Sequence, residues 1–317
     1  MLIFGPDDHV PVSKEGCVVS VGNFDGVHSG HRLLIDEVVA RAKQKNISST
    51  LITFDPHTRE VLQPDLSMQL LTTFEEKAFL IERAGVDFLI RIPFTPEFSR
   101  QPPEYFVENV LCKQLHATEW IMGEGHGVGK DRQGRKNFLH DLLSKYHIIP
   151  FTADLLMHSK TIVSSTQIRV SIVQGHIAET INMLGHPYLI VTHRVSGLKI
   201  GTELGFPTLN FLRPPSQKVL PPSGVYAAEL EFDGCIWPGA LYFGDCPTFA
   251  NRTTHFEFHA FKDDLRFPAV GEKGRLWLHT FIRGDKAFAS KEELAQQIDS
   301  DIKTIQHFFI RGETTCH

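Results

Sequence analysis

The strongest constraint on this 317-residue chain is a change of rhythm near residues 186–188. Before it, short apolar runs alternate with longer amphipathic stretches. "CVVSV", "TLITF", "DFLIRI", "EWIMG" and "IIPF" read as strands. Between them, "HRLLIDEVVARAKQKN" (Leu34, Val38 and Ala42 on one face), "TFEEKAFLIERAG", "PPEYFVENVLCKQLH" and "RKNFLHDLLSKYH" read as helices. Strand and helix in alternation imply βαβ units on a parallel sheet. Two short helical patterns, "SSTQIRVSIVQG" and "IAETINMLG", close this half. After "HPY" come strand-like runs with turns between them: "YLIVTHRV", "VYAAELEF", "CIWPGALYFG", "THFEFHAF" and "GRLWLHTFIR". That pattern suits a small antiparallel barrel or sandwich. A final helix, "SKEELAQQIDSDIKTIQHFF", has Ser290 as its N-cap and Glu293 as the capping-box partner. The predicted domains are therefore 1–185 and 186–317.

Composition narrows the class. With 42% hydrophobic residues the chain can bury a sizeable core. A net charge of -5 argues against nucleic-acid binding driven by bulk charge. Cys17, Cys112, Cys235, Cys246 and Cys316 form no CxxC pair and fit reduced thiols. No apolar run reaches the ~20 residues a bilayer span needs, and the N-terminus lacks a signal-peptide pattern. The expectation is a soluble cytoplasmic protein with no nucleic-acid or membrane partner. A weak homo-oligomer is compatible with all of this.

The segment "SVGNFDGVHSGHRLL", 20–34, places His28 and His31 where a strand gives way to a helix. A helix N-terminus offers unpaired N–H groups and a partial positive charge, which suits phosphate. Gly22, Gly26 and Gly30 let backbone approach a ligand. Histidines at i and i+3 share one side of a helical turn. They can donate to a triphosphate and stabilise charge that develops on phosphorus and on leaving pyrophosphate. Two other readings stay open: a zinc site, for which Asp25 and Asp36 are nearby but no Cys or acid has suitable local spacing, and a structural turn with incidental histidines.

"HSGH" resembles the HxGH signature of adenylyl-transferring enzymes. The longer "VGNFDGVHSGHRLL" is similar to the opening of the prokaryotic bifunctional riboflavin kinase / FMN adenylyltransferase (FAD synthetase) family. "TFDPHTREVL", 53–62, resembles that family's second block, with Thr58 where proline is usual. "SSTQIR", 164–169, resembles its third; alone it would be an ordinary helix cap. "GTELGFPTLNF", 201–211, resembles the riboflavin kinase signature, with Leu209 in place of alanine; alone, "FPTLN" would be a turn. "LPPSGVYAAELEF", "FGDCPTF" (Cys246 in place of arginine), "FEFHAF" and "FIRGDKAF" resemble later blocks. The resemblance runs over roughly 17–305.

It implies a Rossmann-like nucleotidyltransferase domain with a parallel sheet, then a small antiparallel β-barrel riboflavin kinase domain with a C-terminal helix. It implies riboflavin, FMN, FAD and ATP as ligands and Mg²⁺ as cofactor. His28, His31 and Arg169 would be catalytic for adenylyl transfer. Glu257 would be the general base toward the riboflavin 5′-hydroxyl; read alone, a glutamate alternating with aromatics on a strand could simply face solvent. Gly22, Asn23, Phe24, Asp25, Gly30, Ser165, Thr166, Gly201, Thr208 and Asn210 would bind ATP, with Thr208 and Asn210 also on the metal. Phe54, Pro56, His57, Gly123, Gly125, His126 and Arg283 would meet flavin.

Two segments depart from the family. "GEGHGVG", 123–129, has Gly125, His126 and Val128 where the family has an acid or amide and two phenylalanines. Two lost rings weaken stacking on an isoalloxazine by about 1 kcal/mol each. "KDDLRFP", 262–268, is shorter and lacks a Tyr-Gly. The leading expectation is a working two-site enzyme. The alternative is a kinase whose first half is a relic. A non-catalytic flavin or nucleotide binder would not need a general base, and an adenylyltransferase for another substrate would have no role for the second half.

Overall fold

A computed structural model describes residues 1–5, 8, 10–11, 15–65, 67–123, 136–152, 163–197, 200–244, 256–262 and 266–311. It falls into two compact units, one of residues 1–68 and 77–164, the other of residues 69–76 and 165–317.

In the first unit, strands β1 (Leu2–Phe4), β2 (Cys17–Val21), β3 (Ser48–Phe54), β4 (Phe88–Ile92), β5 (Ala117–Met122) and β6 (Ile149–Thr152) form one sheet. Its order is β1-β4-β3-β2-β5-β6, and every pair is parallel. β2 is buried along its whole length, as a continuous apolar run with cover on both faces requires. The edge strand β1 was not anticipated, because three residues carry no usable periodicity. From β2 the chain steps to β3 and β4 on one side and later to β5 and β6 on the other. In such sheets ligands bind outside the carboxyl ends of the strands where the order reverses. Here that is the crevice beyond β2 and β5.

Helix α1 (Ser29–Lys45) buries Leu34, Ile35, Val38 and Ala42. It ends at Asn46 in the left-handed region (φ 55°) with Lys43 and Lys45 in its last turn, which suits the negative end of the helix dipole. Helices α2 (Thr58–Leu62) and α3 (Phe74–Arg83) follow β3. The stretch expected as one helix over 102–116 is a short turn, Pro103–Tyr105, running into a π-helix, Phe106–Gln114. Its wider i→i+5 turns still bury Phe106, Val107 and Leu111.

The second unit is a closed barrel of β7 (Tyr188–Val195), β8 (Leu209–Phe211), β9 (Gly224–Phe232), β10 (Cys235–Phe243), β11 (Phe256–Ala260) and β12 (Lys273–Gly284). The order is β10-β11-β8-β7-β12-β9, and all pairs are antiparallel. Phe211, Tyr226, Leu230, Leu241, Phe243, Phe256 and Phe258 are buried on one face of the strands. Gly274 leaves room for Leu230 and Phe211, and Gly239 for the Phe258 ring. The other face, at Val225, Ala227, Ala240 and Tyr242, packs on Ile305, Phe308 and Phe309 of the closing helix Lys291–Ile310. Ser290 caps that helix as expected, accepting from Glu293 N at 3.1 Å. The Glu293 carboxylate takes the N–H of Ala289 at 3.0 Å, one residue before the cap.

Residues 69–76 join the barrel unit through a buried polar cluster. Lys218 Nζ donates to Glu76 Oε2 at 2.7 Å and to Leu71 O at 2.8 Å, and both charged side chains are 0% exposed. Glu76 Oε1 accepts from Val191 N at 2.8 Å. Tyr188 Oη donates toward Val219 O at 2.6 Å, with the Lys218 ammonium 4.3 Å from its ring centre.

Candidate active sites

The first site grows from the β2–α1 turn. His28 is the N-cap of α1, and its Nδ1 accepts the His31 N–H at 3.3 Å. An accepting Nδ1 leaves Nε2–H as the donor of the neutral ring. The two imidazoles stack with centroids 3.7 Å apart and planes 16° apart. Phe24 meets the His31 ring edge-on at 5.4 Å. Gly30 lies against this stack: a Cβ there would come 3.3 Å from His28 Cε1 and Nδ1. The first turn of α1 holds no acidic residue, so its N-terminus keeps its attraction for anions. Among the described residues, no three His, Cys, Asp or Glu side chains converge as a metal cluster.

The turn is held in an uncommon backbone shape. Phe24 (φ 47°) and Val27 (φ 41°) lie in the left-handed region beside Gly26 (φ 82°). A β-branched residue there is a marked outlier, of the kind found at ligand clamps. Asn23 is tied to the segment after β3. Its Nδ2 donates to Thr58 Oγ1 at 2.9 Å, and its Oδ1 accepts from Thr58 N at 3.2 Å. A proline at 58 could make neither bond. Asn23 O also accepts from Thr53 Oγ1 at 3.2 Å. His57 caps α2, accepting from Arg59 N at 3.1 Å, while Pro56 is exposed. Phe54 packs edge-on with Phe94 at 5.3 Å. Gly123 is buried just past the end of β5, whereas Gly125 and His126 lie outside the described residues.

Sequence reasoning missed Lys77. It sits in the charged run "FEEKAFLIER", where a lysine reads as a solvated face. In the structure it is buried, 6% exposed, with Nζ donating to Thr53 Oγ1 at 3.1 Å. Burial pushes the ammonium below the ordinary lysine range, against the pull of Asp25 and Asp55.

The second site lies on the barrel. Asn210 of β8 and Glu257 of β11 are directly paired across the ladder. Tyr242 of β10 is the next partner of Glu257. Glu257 alternates with buried Phe256 and Phe258, so it lies on the opposite face of β11 from them. Asn210 is 7% exposed. Two glycines make its surroundings: a Cβ at Gly197 would fall 2.1 Å from Asn210 Nδ2, and one at Gly201 would fall 2.4 Å from Phe206 O and 3.2 Å from Thr208 Oγ1. The loop closes with Phe206 N donating to Gly201 O at 2.7 Å. "FPTLN" thus runs from a tight turn into a three-residue strand.

Two expected site residues have structural partners. Arg283 Nε donates to Asp301 Oδ2 at 2.8 Å, which ties β12 to the closing helix. Arg169, on a helix beginning at Ser165, donates from Nε to Gln69 O at 2.6 Å. Ser165, Thr166 and Arg169 group with the second unit.

The chain therefore carries two candidate sites, one at the switch point of a parallel α/β sheet and one on an antiparallel barrel. The FAD synthetase family model matches residues 10–167, and the riboflavin kinase model matches residues 184–309. The chain is 30% identical over 309 residues to the bifunctional riboflavin kinase/FMN adenylyltransferase of Escherichia coli (strain K12), with 97% of each chain covered. It is 32% identical over 296 residues to that of Buchnera aphidicola subsp. Schizaphis graminum, with 92% of this chain and 93% of the relative covered. A solved structure from Streptococcus pneumoniae, described as a macrolide-efflux protein, superposes with TM-score 0.81 at 22% identity, covering 96% of this chain and 99% of its own. That likeness concerns the fold alone. The chain belongs to the bifunctional riboflavin kinase/FMN adenylyltransferase family and is an enzyme. The relic alternative gains no support, since the FAD synthetase model matches the first half.

Proposed function

We propose that this chain makes FAD from riboflavin in two ATP-dependent steps at separate sites, with residues 186–317 carrying the kinase step and residues 1–185 the adenylyl transfer. The observation that supports it most is that one unit holds a helix N-terminus capped by His28 with no acid in its first turn, and the other pairs Asn210 with Glu257 across a barrel ladder.

In the kinase step the Glu257 carboxylate accepts the proton of the riboflavin 5′-hydroxyl. The freed oxygen attacks the γ-phosphorus of ATP, and ADP leaves. Mg²⁺ is implied by the family. Thr208 and Asn210 suit it, because both offer neutral side-chain oxygens, and the backbone at Gly197 and Gly201 runs too close to them and to Phe206 O for either glycine to carry a side chain. When bound, the ion would offset charge on the ATP phosphates. Thr208 and Asn210 would hold it, and the backbone turn at Gly201 would fix their spacing.

In the transfer step an FMN phosphate oxygen attacks the α-phosphorus of ATP and pyrophosphate leaves. His28 and His31 donate hydrogen bonds to the phosphate oxygens as charge builds, together with the N-terminal amides of α1. Neither step needs a protein nucleophile. Phe54, Pro56, His57 and Gly123 are assigned to flavin in the first half, and Arg283 in the second. The reading places the enzyme in the cytoplasm; among the described residues no helix is long and apolar enough to cross a membrane.

Riboflavin, ATP and Mg²⁺ incubated with the purified protein, with flavins separated over time, test the reading. FMN rises first and FAD follows. FMN that accumulates without FAD, even when supplied directly, overturns the adenylyl half.

A further inference from the structure

We propose that Lys77 is a positioning residue for adenylyl transfer, acting through Thr53 on the backbone of the loop that carries Asn23 and Asp25; this rests on reading that loop as the adenylyl-transfer site. A relay of two hydrogen bonds joins them. Lys77 Nζ donates to Thr53 Oγ1 at 3.1 Å, and Thr53 Oγ1 donates to Asn23 O at 3.2 Å. Both side chains are buried, Thr53 completely. The carbonyl they hold belongs to the residue just before Phe24, where the backbone enters the left-handed region. A shape that the chain would not choose by itself must be held by its surroundings. The Asn23 amide is held as well, by both of its bonds to Thr58. Asn23 is thus fixed through its carbonyl and through its side chain, which leaves little freedom for the turn that leads to His28.

Charge supplies a second argument. A buried ammonium costs free energy that an apolar side chain of similar length would not. The charges of Asp25, which is 2% exposed, and Asp55 act on the Lys77 ammonium, and so do those of Arg91 and Glu60. A buried lysine that donates to Thr53 does something packing alone does not ask for.

The test compares Lys77→Met, Thr53→Val and Thr53→Ser with the wild type in the full-length enzyme. FMN adenylylation and riboflavin phosphorylation are measured on the same preparations. Lys77→Met lowers kcat for FAD formation by about tenfold or more, as a slightly misplaced site does, with KM for ATP and the riboflavin kinase rate within about twofold of wild type. Thr53→Val reproduces that loss, Thr53→Ser restores the wild-type rate, and the double variant Lys77→Met/Thr53→Val is no worse than either single one. FAD formation at the wild-type rate in Lys77→Met overturns the proposal. A parallel loss of kinase activity marks a folding defect, and Thr53→Val against Thr53→Ser then decides: equal rates overturn it. A wild-type enzyme that forms no FAD overturns the reading of the site itself, and the proposal with it.

Discussion

On the proposed reading, two regions of this chain meet the same co-substrate by different means. In the α/β unit the phosphate site comes from architecture: a parallel strand ends, a short turn follows, and a helix presents its N-terminus. There, backbone amides and the helix dipole would do much of the binding, beside His28 and His31 at the start of the helix. Among the described residues, the barrel has beside its candidate site only the four-residue helix Ile200–Glu203, too short to build a comparable dipole. Its site uses side-chain oxygens on neighbouring strands, Asn210 opposite Glu257, and a glycine turn that brings Thr208 near. An open parallel sheet supplies a ligand crevice through its topology, whereas a closed antiparallel barrel needs one built by loops and cross-strand pairs.

The largest expected effect breaks this comparison into its halves. Glu257→Gln lowers riboflavin phosphorylation by roughly 10²–10⁴-fold, the usual worth of a general base, while FMN supplied directly is still adenylylated. His31→Ala abolishes FAD formation and leaves FMN formation intact. Equal loss of both activities in a folded His31→Ala protein would mean that the sites are not separate.

Next comes a contrast of two neighbouring acids. Glu76 is paired with Lys218 out of solvent, whereas Glu75 pairs with Lys273 at 2.8 Å with both side chains about half exposed. Lys218→Met leaves the Glu76 carboxylate buried without its counter-ion and destabilises the barrel unit by about 3–5 kcal/mol. Lys273→Met is close to neutral, as exposed pairs are. Denaturant unfolding, with the riboflavin kinase rate as reporter, checks both.

Two glycines sharpen the comparison of the sites. Gly201→Ala places a methyl group 2.4 Å from a backbone carbonyl. It forces the turn open and raises KM for ATP in the kinase step, with FMN adenylylation unchanged. Gly30→Ala presses only on the His28 ring, at 3.3 Å. It displaces that ring and slows adenylyl transfer. Thermal unfolding and the two rates separate these outcomes.

The smallest effect is a pH dependence. Burial works to raise the Glu119 carboxyl, but hydrogen bonds and charge from Lys45 and Arg41 outweigh it and hold it below its ordinary 4.5. A depressed carboxylate contributes stability that is present above its unfolded value and is lost as pH falls through the folded one. Unfolding below pH 4.5 therefore steepens through this group, and Glu119→Gln flattens that limb.

Much of this was open to a reader of the sequence, because its signals are local. The His28-Gly-His31 order, the face of α1 and the Ser290 cap depend on residues within a turn or two of each other. The change of rhythm near 186 followed from periods of 3.6 and 2, which physics imposes over short windows. What only the tertiary structure decided is of longer range. Lys77 finds Thr53 across 24 residues, Asn23 finds Thr58 across 35, and Lys218 finds Glu76 across 142. In one dimension those residues read as a solvated lysine, two turn residues and an ordinary ion-pair former. The strand pattern alone left barrel and sandwich open, and the placing of Asn210 opposite Glu257 needed the register of residues 47 apart. Such pairings are set by which apolar faces must be buried together, and no local window contains that information.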